Sequence, residues 1–334
     1  MAHSSRTENE LQYVRRTVAR RAAAQGGTFR RSDLSTWSVD PDLIRLFVRR
    51  RYWVRLRHGC YCDTVAFIAA QEDERLRHVL FSSLGISALN GPAYAYGVSA
   101  AHLHRLELPR ECADARIEIV RPLGDETRDR ARRHAKLSPD IQLRTLRLRA
   151  VDLCQVEGVP SIRRTGAAFS AAAYVDLDWA VSILDSAAWE HPESLSEYSE
   201  YLELWPAHHG SGVLRNAIPL ARCGAQTPLE SLSRLRLLRQ GLPEPELQQA
   251  FHDSAGLIGY VDMYWPELRV IGEADGAVKY TGREVLVAEK LREDRLRALG
   301  LSVVRWDWNE IFTRPQEVAT RIRSGALEAR RRAG

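Results

Sequence analysis

Apolar positions recur at helical spacing near the start of the chain, where Leu11, Val14, Val18 and Ala22 fall on one face of ENELQYVRRTVARRAAAQ and Gly26-Gly27 closes the run. That pattern predicts a helix over residues 8–25. A short amphipathic piece, RRSDLSTW, comes next. Asp40 as N-cap and Pro41 at the first helical position then predict a third helix through DLIRLFVRRRYW. WVRLR and CYCDT alternate apolar and polar residues on either side of His58-Gly59, which predicts a hairpin. Three helices followed by a hairpin make the pattern of a winged helix-turn-helix over residues 1–63. Its third helix, with Arg45, Arg49 and Arg50, is the one such motifs present to a major groove.

Beyond a linking helix over 64–84 the pattern becomes mixed. AYAYGVSAAHLHRLELP is followed by short strand-like runs in ARIEIVRP, RTLRLRAVDL and VPSIRR, and DLDWAVSILDSAAW predicts a helix over 177–190. From residue 206, PLESLSRLRLLRQ reads as a helix ending at Gly241, GLPEPELQQ as a connection, and LIGYVDMYW and LRVIGEAD as two strands. REVLVAEKLREDRLRALG reads as a long helix, LSVVRWDW as a strand, and a last helix begins near Pro315. The expected fold class is therefore α/β multidomain: a reader over 1–63, a mixed α/β middle domain over 64–205 and an α/β domain over 206–334.

Composition narrows the setting. In 334 residues, 45% are hydrophobic, enough for cores in two or three domains. No run reaches the roughly 18 uncharged apolar residues of a membrane helix, and MAHSSRTENELQYVRR lacks a signal-peptide core, so a cytoplasmic protein with no membrane partner is expected. The five cysteines are odd in number and scattered, which predicts thiols rather than a disulfide framework. His102 and His104, two apart in HLH, cannot share a helix face, and Cys60-x-Cys62 has no second pair. The histidines are read as ordinary surface or core residues and the cysteines as packing in the wing, neither as zinc ligands. The net charge of +5 hides an asymmetry: residues 1–57 hold thirteen arginines against Glu8, Glu10, Asp33, Asp40 and Asp42. A basic N-terminal module predicts a polyanion partner, DNA before any other. Of 48 basic residues only Lys136, Lys279 and Lys290 are lysine.

The candidate chemistry lies in DMYWPELRVIGEADGAVKY, residues 262–280. Strand alternation puts Glu273 and Asp275 on one face, and a two-residue turn at Pro266-Glu267 would set Asp262 opposite Ile271, diagonal to Glu273 on that face. Carboxylates clustered beside apolar runs repel unless a cation joins them, and an oxygen-only set suits Mg²⁺ or Mn²⁺. Gly276 lets the chain turn so that Lys279 can return toward the acids.

At these residues the sequence resembles the PD-(D/E)XK nuclease superfamily, with an Asp on one strand, an acid opening E-x-K on the next and a preceding helical Glu. That resemblance implies metal ligation by Asp262, Glu273 and Asp275, a catalytic set of Glu230, Asp262, Glu273 and Lys279, and phosphodiester hydrolysis. VIGEADGAVKY, with GLPEPELQ ahead and AEKLREDRLRALGLSVVRW behind, looks more narrowly like very-short-patch-repair-like endonuclease domains. Asp275 occupies the usual lysine position, and Lys279 is expected to replace that lysine. GGTFRRSDLSTW through LRHGCYC, and YGVSAAHLHRLELP with SIRRTG, resemble AbiEi-type antitoxins. This second resemblance implies the alternative of a non-enzymatic autorepressor with a cognate toxin protein as partner.

Overall fold

The computed structural model describes residues 7–123, 140–205, 209–275 and 283–333. It is an α/β protein whose strands, among the described residues, form three separate sheets. The chain divides into two compact units, residues 1–175 with 196–214 and residues 176–195 with 215–334. None of the described helices is long and apolar enough to cross a membrane.

The first unit opens with α1 (Glu8–Ala23), β1 (Thr28–Arg30), α2 (Arg31–Thr36), α3 (Leu43–Arg49), β2 (Trp53–Arg57) and β3 (Cys60–Asp63), the strands ordered β1-β3-β2. α1 starts at a capping box between Thr7 and Glu10, which satisfies two amides that a helix start leaves open. α3 begins later than its sequence suggests. Asp40 accepts the Asp42 amide in a local turn at 2.9 Å, and the helix itself starts at Leu43. Leu11, Val18, Phe29, Leu34, Phe47 and Trp53 close one apolar core beneath these elements. Arg45 and Arg49 stand exposed on α3, and the exposed Arg50 Nη1 pairs with Glu8 Oε2 at 2.7 Å.

The expected linking helix is two, α4 (Thr64–Glu72) and α5 (Glu74–Ala88), broken at Asp73, whose side chain caps the second. After β4 (Tyr94–Ala95) and α6 (Gly97–Leu103) come β5 (Ile117–Pro122), β6 (Ile141–Leu146), β7 (Leu153–Val156) and β8 (Val159–Ile162), in a sheet ordered β6-β5-β4-β8-β7. α7 (Arg164–Ala172) follows, buried along its whole length. The β7–β8 turn lies against the end of α1: a side chain at Gly158 would put its Cβ 1.9 Å from the Ala24 carbonyl oxygen, so only glycine fits there. His102 stacks on His78 with ring centroids 4.3 Å apart, and His104 Nε2 lies 2.8 Å from the Ile162 carbonyl. These histidines pack, as do Cys60 and Cys62, and all five cysteines are free.

In the second unit α8 (Leu177–Glu190) packs on a later helix. α9 (Ser194–Leu204), which falls largely in the first unit, and α10 (Ser211–Ala217), which spans the division, follow α8 where no helix is expected from sequence. The unit continues with α11 (Pro228–Arg239), β9 (Glu246–Asp253), β10 (Gly256–Trp265), β11 (Val270–Ala274), α12 (Arg283–Ala298), β12 (Ser302–Trp306), α13 (Trp308–Thr313) and α14 (Pro315–Ala333). The sheet order is β12-β11-β10-β9. β9, β10 and β11 are antiparallel neighbours, whereas β12, returning across α12, runs parallel to β11. Leu229 and Leu237 of α11, Val318, Ala319 and Ile322 of α14 and the strand residues Met263, Trp265, Val270 and Trp306 form one core. Leu296 of α12 joins Val261 and Ile271 in a second.

α11 is held to α8 by a buried ion pair. Asp185 Oδ2 accepts from Arg234 Nη2 at 3.1 Å and from Ser231 Oγ at 2.9 Å, while Asp185 Oδ1 accepts the Arg222 amide at 2.7 Å. Burial raises the Asp185 pKa to about 6, still low enough for a charged carboxylate at neutral pH. Asp185→Asn leaves the Arg234 guanidinium buried with Glu244 as its remaining acid, so urea unfolding should report a loss of about 3 kcal/mol or more. A loss under about 0.5 kcal/mol would mean that the pair does not hold the helices together.

Candidate functional site

The site grows from the middle of the second sheet. β10 and β11 pair Met263 with Gly272, Tyr264 with Ile271 and Trp265 with Val270. One step further along this ladder puts Asp262 beside Glu273, not opposite Ile271. The expected two-residue turn is instead the four residues Pro266–Arg269, and the register shifts by two. Arg269 explains the shift: its φ of 55° is left-handed, and its guanidinium donates to the Leu299 and Gly300 carbonyls at 2.9 and 3.4 Å. The guanidinium is thus occupied away from Asp262. Because the slip is even, Asp262 and Glu273 still share a face.

The expected connection GLPEPELQQ enters, at Glu246, a full edge strand, β9. Its pairs Val261–Gln249 and Met263–Leu247 leave Gln248 alongside Asp262, at a left-handed φ of 50°. Such a φ is disfavoured for a residue with a side chain, so the surroundings must hold it. Gln248 Nε2 donates to Glu230 Oε2 at 3.2 Å, and the same amide hydrogen-bonds the Asp262 carboxylate. Glu230 stands in the first turn of α11, where its oxygens also accept the Gln226 amide at 2.8 Å and the Thr227 hydroxyl at 2.9 Å. Asp262 Oδ2 accepts the Ala274 amide at 2.8 Å, which ties it across to β11.

Burial sets the electrostatics. It raises the Glu230 carboxyl to about 7, and the Asp262 charge adds to the shift while the three hydrogen bonds oppose it. Glu273 is also raised to about 7, chiefly by burial, with Arg292 opposing and Asp262 adding. Asp262 is raised for the same first reason. Arg292 Nη2 lies 3.0 Å from Glu273 Oε1 and also donates to the Tyr260 carbonyl at 2.6 Å. Arg305 pairs across the parallel ladder from Glu273, reaches Asp275 at 3.8 Å and contacts Glu289 of α12.

Gln248 thus joins Glu230 to Asp262, Asp262 lies across the ladder from Glu273, and Asp275, two residues on, faces Arg305. Among the described residues, no three acidic, histidine or cysteine side chains stand close enough together to hold a metal ion. Lys279 lies outside the described residues. Sequence reading missed Gln248, Arg292 and Arg305. Arg305 gains its place beside Glu273 only through the parallel ladder, and Gln248 sat in a segment with too little apolar alternation to register as a strand.

No family model matches the chain. Two uncharacterized proteins of Mycobacterium tuberculosis, from strain CDC 1551 / Oshkosh and strain ATCC 25618 / H37Rv, are similar to it. Each is 29% identical over 143 residues, which is 43% of this chain and 53% of the relative. The chain thus spans about half the length of the curated relatives it matches.

The role of Gln248 is directly testable. Gln248→Ala removes the amide that both Glu230 and Asp262 use, leaving two buried carboxyls with fewer donors at a backbone position that stays strained. Denaturant unfolding at pH 7.5 should show a loss of about 1–3 kcal/mol. An unchanged midpoint would mean that the amide does not bind the two acids together.

Proposed function

We propose that this chain is a DNA-directed, metal-dependent phosphodiesterase of the restriction-endonuclease-like kind, with a winged helix-turn-helix reader at residues 1–63. One observation carries the reading: Asp262 of β10 lies beside Glu273 of β11 and is joined through Gln248 to Glu230 of α11, and all three carboxyls have pKa values raised by burial. Supporting it, a helix, an antiparallel run of β9, β10 and β11, a crossover helix and a parallel β12 are the element order that the PD-(D/E)XK resemblance leads one to expect. The order β1-β3-β2 with α3 ahead of the hairpin supports the reader in the same way.

The chemistry of these donors suits a divalent cation, although among the described residues no three acids stand close enough together to hold one, so the side chains would have to draw together on binding. The set is all oxygen, and its charges oppose one another where water is scarce, so Mg²⁺ or Mn²⁺ would relieve the repulsion. Such an ion, bound there, would polarise a scissile phosphate and lower the pKa of its attacking water. In this reading Asp262 and Glu273, with Asp275, hold the ion, and Glu230 orients a water or a second ion. Gln248 keeps Asp262 and Glu230 in register, while Lys279 and Arg305 offset charge on the phosphate. A second reading, a non-enzymatic antitoxin and autorepressor that binds a cognate toxin, is favoured by the ion pairs of Glu273 with Arg292 and of Asp275 with Arg305, which balance these acids without metal.

The Asp262→Asn variant separates the two. If the acids share an ion, cleavage of supercoiled plasmid in Mn²⁺ should fall by orders of magnitude, and the rise in Tm that Mn²⁺ gives the wild type should disappear. The Tm in chelator should hold or rise, since one repelling charge is gone and Arg269 is not left without a partner. Wild-type protein that neither cuts nor gains Tm in Mn²⁺ would leave the antitoxin reading.

For the reader, Arg45, Arg49 and Arg50 replaced together by Ala should weaken duplex binding and make its dependence on log salt shallower, by roughly one unit of slope for each lost phosphate contact. A titration with unchanged slope would remove α3 from the interface.

A further inference from the structure

The neighbouring tryptophans Trp265 and Trp306 are buried, yet Trp308 and Phe312, one turn apart on α13, are each 37% exposed. Their rings lie 5.3 Å apart between centroids with 36° between planes, so they form a single shelf. The mount under the shelf is stiff. Asp307 and Glu310 close a capping box, Ile311 is fully buried, and Arg321 Nη1 reaches Glu310 Oε1 at 2.6 Å. Arg236 lies over the Phe312 ring at 3.9 Å from its centroid and donates to the Phe312 carbonyl at 3.1 Å. An apolar pair that could gain by burial is thus held out in water, with a guanidinium on one face.

Its location ties it to the carboxylates. β11 and β12 are parallel and end together, where the Asp275 amide donates to the Trp306 carbonyl at 2.9 Å. Trp308 is two residues beyond Trp306, so their Cα atoms are at most about 7 Å apart. The C-terminal ends of parallel strands are where open α/β sheets present their ligand sites. The carboxylates face α12, where Arg292 pairs with Glu273, whereas Ile311 seats α13 in the core with α14, so a strand of nucleic acid that served both would cross the shared strand ends.

We propose that the Trp308–Phe312 shelf stacks a base of a single-stranded stretch of nucleic acid whose backbone runs past the carboxylate centre, an inference that rests on the phosphodiesterase reading above. The chemistry favours this occupant. Every base offers a π face to an aromatic ring, and Arg236, already stacked on Phe312 and 3.7 Å from Asp178, shows that the rings accept a flat partner. A paired base inside a duplex has both faces covered by its neighbours, so only an unpaired or extruded one can use the shelf. The pinned rings lose little freedom on binding.

The test uses the full chain carrying Arg45→Ala, Arg49→Ala and Arg50→Ala, so that the reader does not mask the shelf. Binding of a labelled oligothymidylate in chelator is followed by anisotropy. Adding Trp308→Ala should weaken binding about five- to a hundredfold. Trp308→Phe should keep most of the affinity, whereas Trp308→Leu, apolar but without a π face, should not. A blunt duplex of the same length should respond little. The proposal is overturned if the background protein fails to bind the oligothymidylate, if the Leu variant binds like wild type, or if the duplex loses as much affinity as the single strand. Cleavage with Mn²⁺ separates the shelf from its parent reading. Stacking losses in a protein that never cuts would leave the shelf standing and remove the nuclease. A cutting wild type matched by Trp308→Ala in both affinity and KM would do the reverse.

Discussion

The second unit depends on where α11 is held, and α11 is held by the buried pair of Arg234 and Asp185. A guanidinium and a carboxylate, exposed 1% and 0% at their side chains, are stable inside because each has charged and hydrogen-bonding partners, Arg234 through its two terminal nitrogens while its buried Nε finds none among the described residues. Ser231 adds a hydroxyl to Asp185, Leu220 offers its carbonyl to Arg234, and one position before Arg234 the Ser233 hydroxyl accepts the indole of Trp306 at 2.7 Å. Consecutive polar residues of one helix thus reach both α8 and β12. Glu230 stands one turn before Arg234, so the anchoring that fixes the helix also decides how far its acid extends toward Asp262.

Holding acids together in this way is unfavourable. Glu230, Asp262 and Glu273 are all shifted upward with desolvation as the leading cause, and the Asp262 charge further raises the other two. The fold offsets this with specific donors: Gln248, the Ala274 amide, the Gln226 amide and the Arg292 guanidinium. The strained φ of Gln248 belongs to the same compromise, because it puts the amide between two carboxyls from an edge strand whose ordinary pleat would aim it elsewhere. Strain and buried like charge at one place support the ligand site proposed above, because a sheet built only for stability would avoid them.

Much of this was legible beforehand because period and punctuation agree along the chain. The α1 stripe ending at Gly26-Gly27, the hairpin at His58-Gly59 and the helix from Pro228 all carry both signals and appear where expected. The shared face of Asp262 and Glu273 was legible too, since strand alternation survives an even register error. The error came from the turn, where Arg269 adopts a conformation that sequence rules assign to glycine or asparagine. Gln248 and β9 were hidden for a related reason: an edge strand with a half-exposed face needs few apolar residues, and LQQAFHD alternates poorly. Arg292 and Arg305 look in sequence like any other arginines of an arginine-rich chain, and their role exists only once α12 crosses back over the sheet.

Those two arginines also bear on how a cation would be received. Arg292 stands 3.0 Å from Glu273 and Arg305 faces Asp275, so part of the charge that an ion would neutralise is already balanced. In the proposed reading ion affinity is then a difference, the gain on joining Asp262, Glu273 and Glu230 less the loss of the Arg292 pair. Arg292 does not depend on Glu273 alone: it also donates to the Tyr260 carbonyl and reaches Glu289, so it has partners to keep when Glu273 turns away. Gly259 permits this arrangement, because a side chain there would put its Cβ 3.1 Å from the Arg292 guanidinium. In that reading a carboxylate centre with such counter-cations can fold without an ion, and the same pairing would set how strongly an ion must bind to displace them.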